Sequence, residues 1–121
     1  MSLIYNTEVT SIGPLVEGFY PEKMIILFKE NAPDELADYC VLHDVNDLKE
    51  EIKTGYTLKI DETDYKITAV GDVVNKNLKD LGHICLKFDG STKAALEGTL
   101  YLEDKAIKEV SLGSKIEILA Q

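Results

Sequence analysis

Apolar residues along this chain fall in short runs, most of them alternating with polar positions rather than recurring every three or four residues. Leu3 to Ser11 alternates loosely and is rich in β-branched residues (Ile4, Thr7, Val9, Thr10), which predicts a first strand, broken by Gly13-Pro14. Lys23 to Lys29 holds the apolar run Met24-Ile25-Ile26-Leu27-Phe28 and reads as a buried second strand. Pro33 followed by Asp34-Glu35-Leu36-Ala37 predicts a helix of one or two turns. The proline belongs in its first turn, where a missing N–H costs nothing, and the acidic residues suit the helix dipole. Tyr39 to His43 is a short, mostly apolar strand ending on His43 and Asp44. Asp47-Leu48-Lys49-Glu50 then has the form of a capping box, with Leu48 and Ile52 on one face and Gly55 as the stop, so a helix is expected after the strand.

From Tyr56 the period changes to β. Tyr56 to Ile60 and Tyr65 to Val74 flank Asp61-Glu62-Thr63-Asp64 as a hairpin, with Gly71 marking a bulge or bend. Asn75 is placed to cap a short helix, Lys76 to Leu81, which Gly82 ends. His83 to Phe88 is a strand with Ile84, Leu86 and Phe88 on one face and His83, Cys85 and Lys87 on the other. Asp89-Gly90 is a turn, Ser91 to Leu96 is a helical turn or an irregular loop, and Gly98 to Leu102 and Lys115 to Leu119 are the last strands. Strands that never alternate with full-length helices argue against a doubly wound sheet. The fold class expected is all-β: a small, closed or nearly closed antiparallel structure decorated by two or three short helices.

Length and charge narrow the function. The chain of 121 residues is expected to form a single domain, 1–121, and 45% hydrophobic residues suffice for one core. With 22 acidic against 13 basic residues the formal net charge is −9, so nucleic acid and anionic membrane surfaces are poor partners. No apolar run is long enough to span a bilayer, and no charged-then-apolar leader opens the chain. Cys40 and Cys85 lack metal or redox spacing and read as reduced core thiols of a cytoplasmic protein. There is no Gly-rich phosphate loop, no nucleophile elbow, no structural zinc pattern, and Asp61 to Asp64 lacks the spaced ligands of a calcium loop. Neither cofactor nor metal is expected, so a phosphoryl group, if one is handled, has to come from another protein.

The candidate for that chemistry is His43. An imidazole titrates near neutrality, with an ordinary pKa of about 6.5, so a neutral nucleophilic nitrogen is available. A phosphoryl group on it adds up to about two negative charges and three acceptor oxygens, which the N–H groups of a helix starting after Asp47 are placed to meet. Asp44 or a carbonyl can hold the other ring nitrogen. Two facts weigh the other way: a histidine at a strand end often only fills a polar gap, and Asp44 and Asp47 repel an anion. His83 is an ordinary strand-edge histidine unless its strand lies beside Tyr39 to His43, in which case it can donate to phosphoryl oxygens. The many remaining carboxylates cluster in expected turns and helix starts, which suits a solvated surface better than a paired-carboxylate hydrolase.

Tyr39-Cys40-Val41-Leu42-His43, Thr68-Ala69-Val70-Gly71, and Asn77-Leu78-Lys79-Asp80-Leu81-Gly82-His83 with Leu86 and Phe88-Asp89-Gly90 carry a match along nearly the whole chain. In their order and spacing the sequence resembles enzyme IIA of the glucitol/sorbitol-specific bacterial phosphotransferase system. The resemblance implies an all-β pseudobarrel. It also implies a phosphotransferase component that takes a phosphoryl group from the histidine-phosphocarrier protein and passes it to enzyme IIB, serving a sugar permease in the membrane. By resemblance His43 is the phosphorylated residue and Nε2 its reacting atom; where some relatives carry a second histidine two places later, this chain has Val45. That role requires an exposed ring, within a shallow apolar patch that includes Val41, Val45 and Leu48, and a partner with a basic rim. Two other readings stand beside it: a regulatory or binding module of the same fold without transport duty, and an unrelated small hydrolase using His43 and Asp44.

Overall fold

The structure, a computed structural model, describes residues 2–45 and 47–120. The alternating stretches become strands: β1 (Ser2–Ile12), β2 (Met24–Lys29), β3 (Val41–His43), β4 (Thr57–Ile60), β5 (Thr63–Val70), β6 (Ile84–Lys87), β7 (Thr99–Leu102) and β8 (Lys115–Ala120). Two short helices, α1 (Asp34–Ala37) and α2 (Val74–Leu81), lie between them, with a 3-10 helix over Val16–Glu22 that the sequence pattern did not announce. The strands close into a barrel in the order β1-β3-β2-β6-β7-β5-β4-β8. The expected all-β barrel with few short helices is therefore what the chain forms. Its pairings are antiparallel except for β2 with β3 and β6 with β7, which run parallel. Each of those pairs is joined by a connection long enough to reverse direction, carrying α1 in one case and the irregular segment through Ser91–Leu96 in the other.

Period-2 alternation puts one face of each strand into the barrel. Leu58 and Ile60 of β4, Tyr65 and Ile67 of β5, and Ile116 and Ile118 of β8 are buried in one apolar cluster. A smaller cluster of Phe28, Cys40 and Leu42, with Ile26, Ala32 and Ala37 against it, covers the outer side of β2 and β3 beneath α1. Both cysteines are free thiols, Cys40 buried and Cys85 half-buried.

The helix expected from Asp47 does not form; residues 47–53 are irregular. Its two apolar residues, Leu48 and Ile52, are buried as the pattern demanded, but the backbone finds partners outside the segment. The Lys49 N–H donates to the Ile4 carbonyl at 2.9 Å, and the Ile52 N–H donates to Asn75 Oδ1 at 2.7 Å. Tertiary hydrogen bonds thus outcompete a cap of modest worth. The same contact revises Asn75. It lies inside the first turn of α2, and its side chain also donates to the Ile52 carbonyl at 3.4 Å. Asn75→Ala removes the partner of both Ile52 backbone groups at a buried residue of an otherwise exposed segment, so a loss of about 1 kcal/mol is expected. A urea midpoint lowered at unchanged slope would report it.

Gly71 ends the second hairpin arm at Val70, earlier than the expected Val74. A Cβ at Gly71 would stand 2.2 Å from the Glu97 carbonyl oxygen, so the chain needs glycine to pass that loop. α2 ends as expected, at Gly82, whose φ of 65° is left-handed and whose N–H closes on the Leu78 carbonyl at 2.9 Å. That cap delivers Gly82 to the end of β3.

A buried histidine at the end of strand β3

β3 runs Val41-Leu42-His43, and alternation decides where the imidazole goes. Leu42 belongs to the outer cluster; Val41 and His43 point the other way. His43 is fully buried at 0% exposure, which corrects the expectation of an open ring at the mouth of the strand. β1 lies on one side, with Val9 opposite His43, and β2 on the other, with Lys29 opposite it. From β1, Tyr5 and Thr7 enter on the same inward face as Val9 and meet the ring.

Both ring nitrogens are engaged. Nε2 lies 2.7 Å from the Gly82 carbonyl oxygen. A carbonyl only accepts, so Nε2 carries a proton and donates it. Thr7 Oγ1 lies 3.0 Å from Nδ1, and in the neutral ring its hydroxyl donates to that nitrogen. The Tyr5 hydroxyl is 3.3 Å from Nδ1, but it donates to the Val45 carbonyl at 2.6 Å. Thr7 Oγ1 also accepts the Val45 N–H at 3.0 Å and lies 3.2 Å from Asp44 Oδ1. Asp44 Oδ1 in turn accepts the Glu8 N–H at 3.2 Å. The Asp44 carboxylate accepts from the Glu8 N–H and stands as an alternative acceptor for the Thr7 hydroxyl, and the Asp47 carboxylate pairs with Lys49 at 3.2 Å; neither is hydrogen-bonded to the imidazole.

Burial pushes the His43 pKa below its ordinary value, because the charged ring loses water. The Gly82 and Val45 carbonyls and the Asp44 charge work against that, while the Lys29 ammonium adds to it, and the net shift is downward. His43 is therefore neutral near pH 7, with its proton on Nε2. A folded-state pKa below the unfolded one means that the unfolded chain binds the proton more readily. His43's contribution is full above the unfolded pKa of about 6.5 and is lost as the pH falls through the lower folded value. Wild type is expected to lose stability across that window relative to His43→Gln, as read by urea unfolding at pH 7.5 and at pH 5, and a difference that stayed flat would contradict the assignment.

His83 is not brought to the ring. It lies just before β6, which starts at Ile84 rather than at His83 and pairs with β2 and β7, so β2 separates that strand from β3. The His83 ring stacks on Phe28 with centroids 4.5 Å apart, and Nδ1 donates to the Leu27 carbonyl at 3.1 Å. The contact between this segment and His43 is made by its neighbour Gly82. There a Cβ would stand 3.0 Å from His43 Cε1, 3.2 Å from Nε2 and 2.9 Å from Lys29 Cβ. Positive φ and close approach both require glycine at this position.

Tyr5, Thr7 and Gly82 were not singled out from the sequence as site residues. The signal for the first two was the alternation Tyr5-Thr7-Val9, which marks one inward face; nothing local pairs that face with His43. The expected apolar patch also differs. Val41 and Leu48 are buried and Val45 half-buried, and the exposed apolar side chain next to Gly82 is Leu81. Leu81 and Lys29, the neighbours of Gly82, line a cleft of about 260 Å³ with Phe28, Asn31, Pro33 and Asp80. On the Thr7 side a polar cleft of about 260 Å³ is lined by Asn6, Thr7, Glu8, Asp44, Val45 and Lys115. Among the described residues no helix is long and apolar enough to cross a membrane.

The chain matches the family described as the PTS system glucitol/sorbitol-specific IIA component over residues 4–117. It is 34% identical over 117 residues to the glucitol/sorbitol-specific EIIA component of Shigella flexneri, covering 97% of this chain and 95% of the relative. The Escherichia coli K12 protein of the same description matches with the same identity and coverage. Among solved structures, the PTS system IIA component from Enterococcus faecalis V583 superposes with a TM-score of 0.86 at 33% identity, covering 96% of this chain and 100% of that one. Barrel and sequence agree: the chain belongs to the glucitol/sorbitol-specific IIA components of the PTS, a phosphotransferase system.

Proposed function

We propose that the chain works in the cytoplasm as a single-domain phosphocarrier. His43 accepts a phosphoryl group from the phosphohistidine of the histidine-phosphocarrier protein and passes it to enzyme IIB, for uptake and phosphorylation of glucitol through a membrane permease. The observation that carries this reading is the state of the imidazole: held neutral by burial, and oriented by one partner on each nitrogen. Phosphoryl transfer has a loose transition state, so alignment and charge placement are what the protein supplies.

Burial sets a condition on the mechanism. Donor and acceptor nitrogens must approach in line, so the covered ring takes part only from an opened form. The cover over Nε2, the atom assigned by family resemblance, is the Gly82 carbonyl, held by a one-residue cap at the end of α2. Swinging that peptide aside removes an acceptor that would repel phosphoryl oxygens, while the Lys29 charge that already acts on the ring favours them. His83, next in the chain, moves with it and is the secondary candidate for donating to those oxygens.

The test is reconstitution with labelled phosphoenolpyruvate, enzyme I and the carrier protein. One acid-labile phosphate per chain is expected. The complete burial of His43 is the one observation favouring the second reading, a regulatory or binding module that is never phosphorylated, and a wild-type chain that takes no label would select it.

A further inference from the structure

The donor needs of His43 reverse during transfer, and one side chain is placed to follow them. We propose that Thr7 is a positioning residue whose hydroxyl turns between His43 Nδ1 and Asp44 Oδ1, allowing the imidazole proton to sit on either nitrogen. This rests on the phosphocarrier reading.

In the closed form Nε2 holds the proton, and Nδ1 receives the Thr7 hydroxyl at 3.0 Å. Transfer to Nε2 breaks the nitrogen–phosphorus bond of the donor, whose electron pair returns to the donor nitrogen. The Nε2 lone pair forms the new bond. Nε2 can offer that pair only if its proton has left, and the ring stays neutral only if Nδ1 gains one. Exchange with water in the opened form moves that proton without net gain or loss. Nδ1–H then needs an acceptor where a donor stood before.

Thr7 Oγ1 meets that need without moving. The hydroxyl turns to donate its hydrogen bond to Asp44 Oδ1, 3.2 Å away, and an oxygen lone pair then accepts from Nδ1–H. The Val45 N–H at 3.0 Å stays bonded to Oγ1 in both states and fixes the oxygen. Asp44 is itself fixed by the Glu8 N–H at 3.2 Å. Tyr5 cannot substitute as a rotor. Its proton is committed to Val45 at 2.6 Å, and its oxygen is farther from Nδ1, at 3.3 Å.

The experiment combines imidazole ¹⁵N spectra with rates of label uptake for wild type, Thr7→Ser, Thr7→Val and Asp44→Ala. The free protein is expected to show hydrogen on Nε2 and the phosphorylated protein hydrogen on Nδ1. Thr7→Ser should keep the wild-type rate within about twofold, whereas Thr7→Val and Asp44→Ala should slow uptake about tenfold, the equivalent of one hydrogen bond, with the same final extent of labelling. A folded Thr7→Val or an Asp44→Ala protein that labels at the wild-type rate overturns the proposal. If Thr7→Val does not fold, Asp44→Ala, exposed at the surface, decides alone. Hydrogen on Nδ1 in the free protein overturns the Thr7 role and leaves the phosphocarrier reading standing. A wild-type chain that takes no label overturns both.

Discussion

His43→Gln is expected to abolish phosphoryl uptake altogether, with no acid-labile label above background, while His83→Gln keeps the full extent of labelling at a lower rate. The contrast follows from where the two rings sit. His43 is the residue whose two nitrogens are held by side chain and backbone at the meeting point of β1, β3 and the α2 cap. His83 stacks on Phe28 and donates to a β2 carbonyl, a strand away. Glutamine suits the test because its amide can still reach the Gly82 carbonyl and the Thr7 hydroxyl. The buried polar groups around position 43 then keep partners, and the variant stays folded. A neutral amide has no nucleophilic nitrogen, so no phosphoryl bond forms. Undiminished label on His43→Gln would move the site elsewhere. Label lost equally from both variants would tie His83 to the step itself rather than to its neighbourhood.

Much of this architecture is written in period-2 patterning. Each strand was legible because apolar and polar residues alternate at the right length between Gly and Pro punctuation, and Gly82 was legible as a helix stop. Failures came where a tertiary partner overrides a local rule. The capping box at Asp47-Glu50 is a sound local signal, but the Lys49 and Ile52 N–H groups are taken by β1 and by Asn75. Asn75 looked like a cap for the same reason that it serves Ile52: a short amide can bond to backbone. The burial of His43 could have been read from its own strand, since Val41 is inward and His43 is two residues on. Invisible from sequence were the two long-range encounters, of Thr7 with His43 across 36 residues and of Gly82 with His43 across 39, because each depends on barrel closure. A position read as a stop signal thus becomes the cover of the site.

Gly82 is where fold and site can be separated by substitution. Gly82→Ala is expected to cost about 1–2 kcal/mol from its left-handed backbone alone, since φ is 65°. Crowding comes on top, because the new methyl group meets Lys29 Cβ at 2.9 Å and His43 Cε1 at 3.0 Å. Both neighbours belong to paired strands and cannot simply rotate away. Gly82→Asn divides the two causes. Asparagine tolerates the left-handed region, so it is relieved of most of the backbone cost but carries the same Cβ. If contact with the histidine matters, Asn should be destabilised nearly as much as Ala by urea unfolding, and the imidazole Nε2 proton should exchange with water faster in both than in wild type. An Asn variant as stable as wild type, with unchanged imidazole exchange, would mean that the space above Nε2 is not constrained. The Gly82 carbonyl would then be a bystander to the ring rather than its cover.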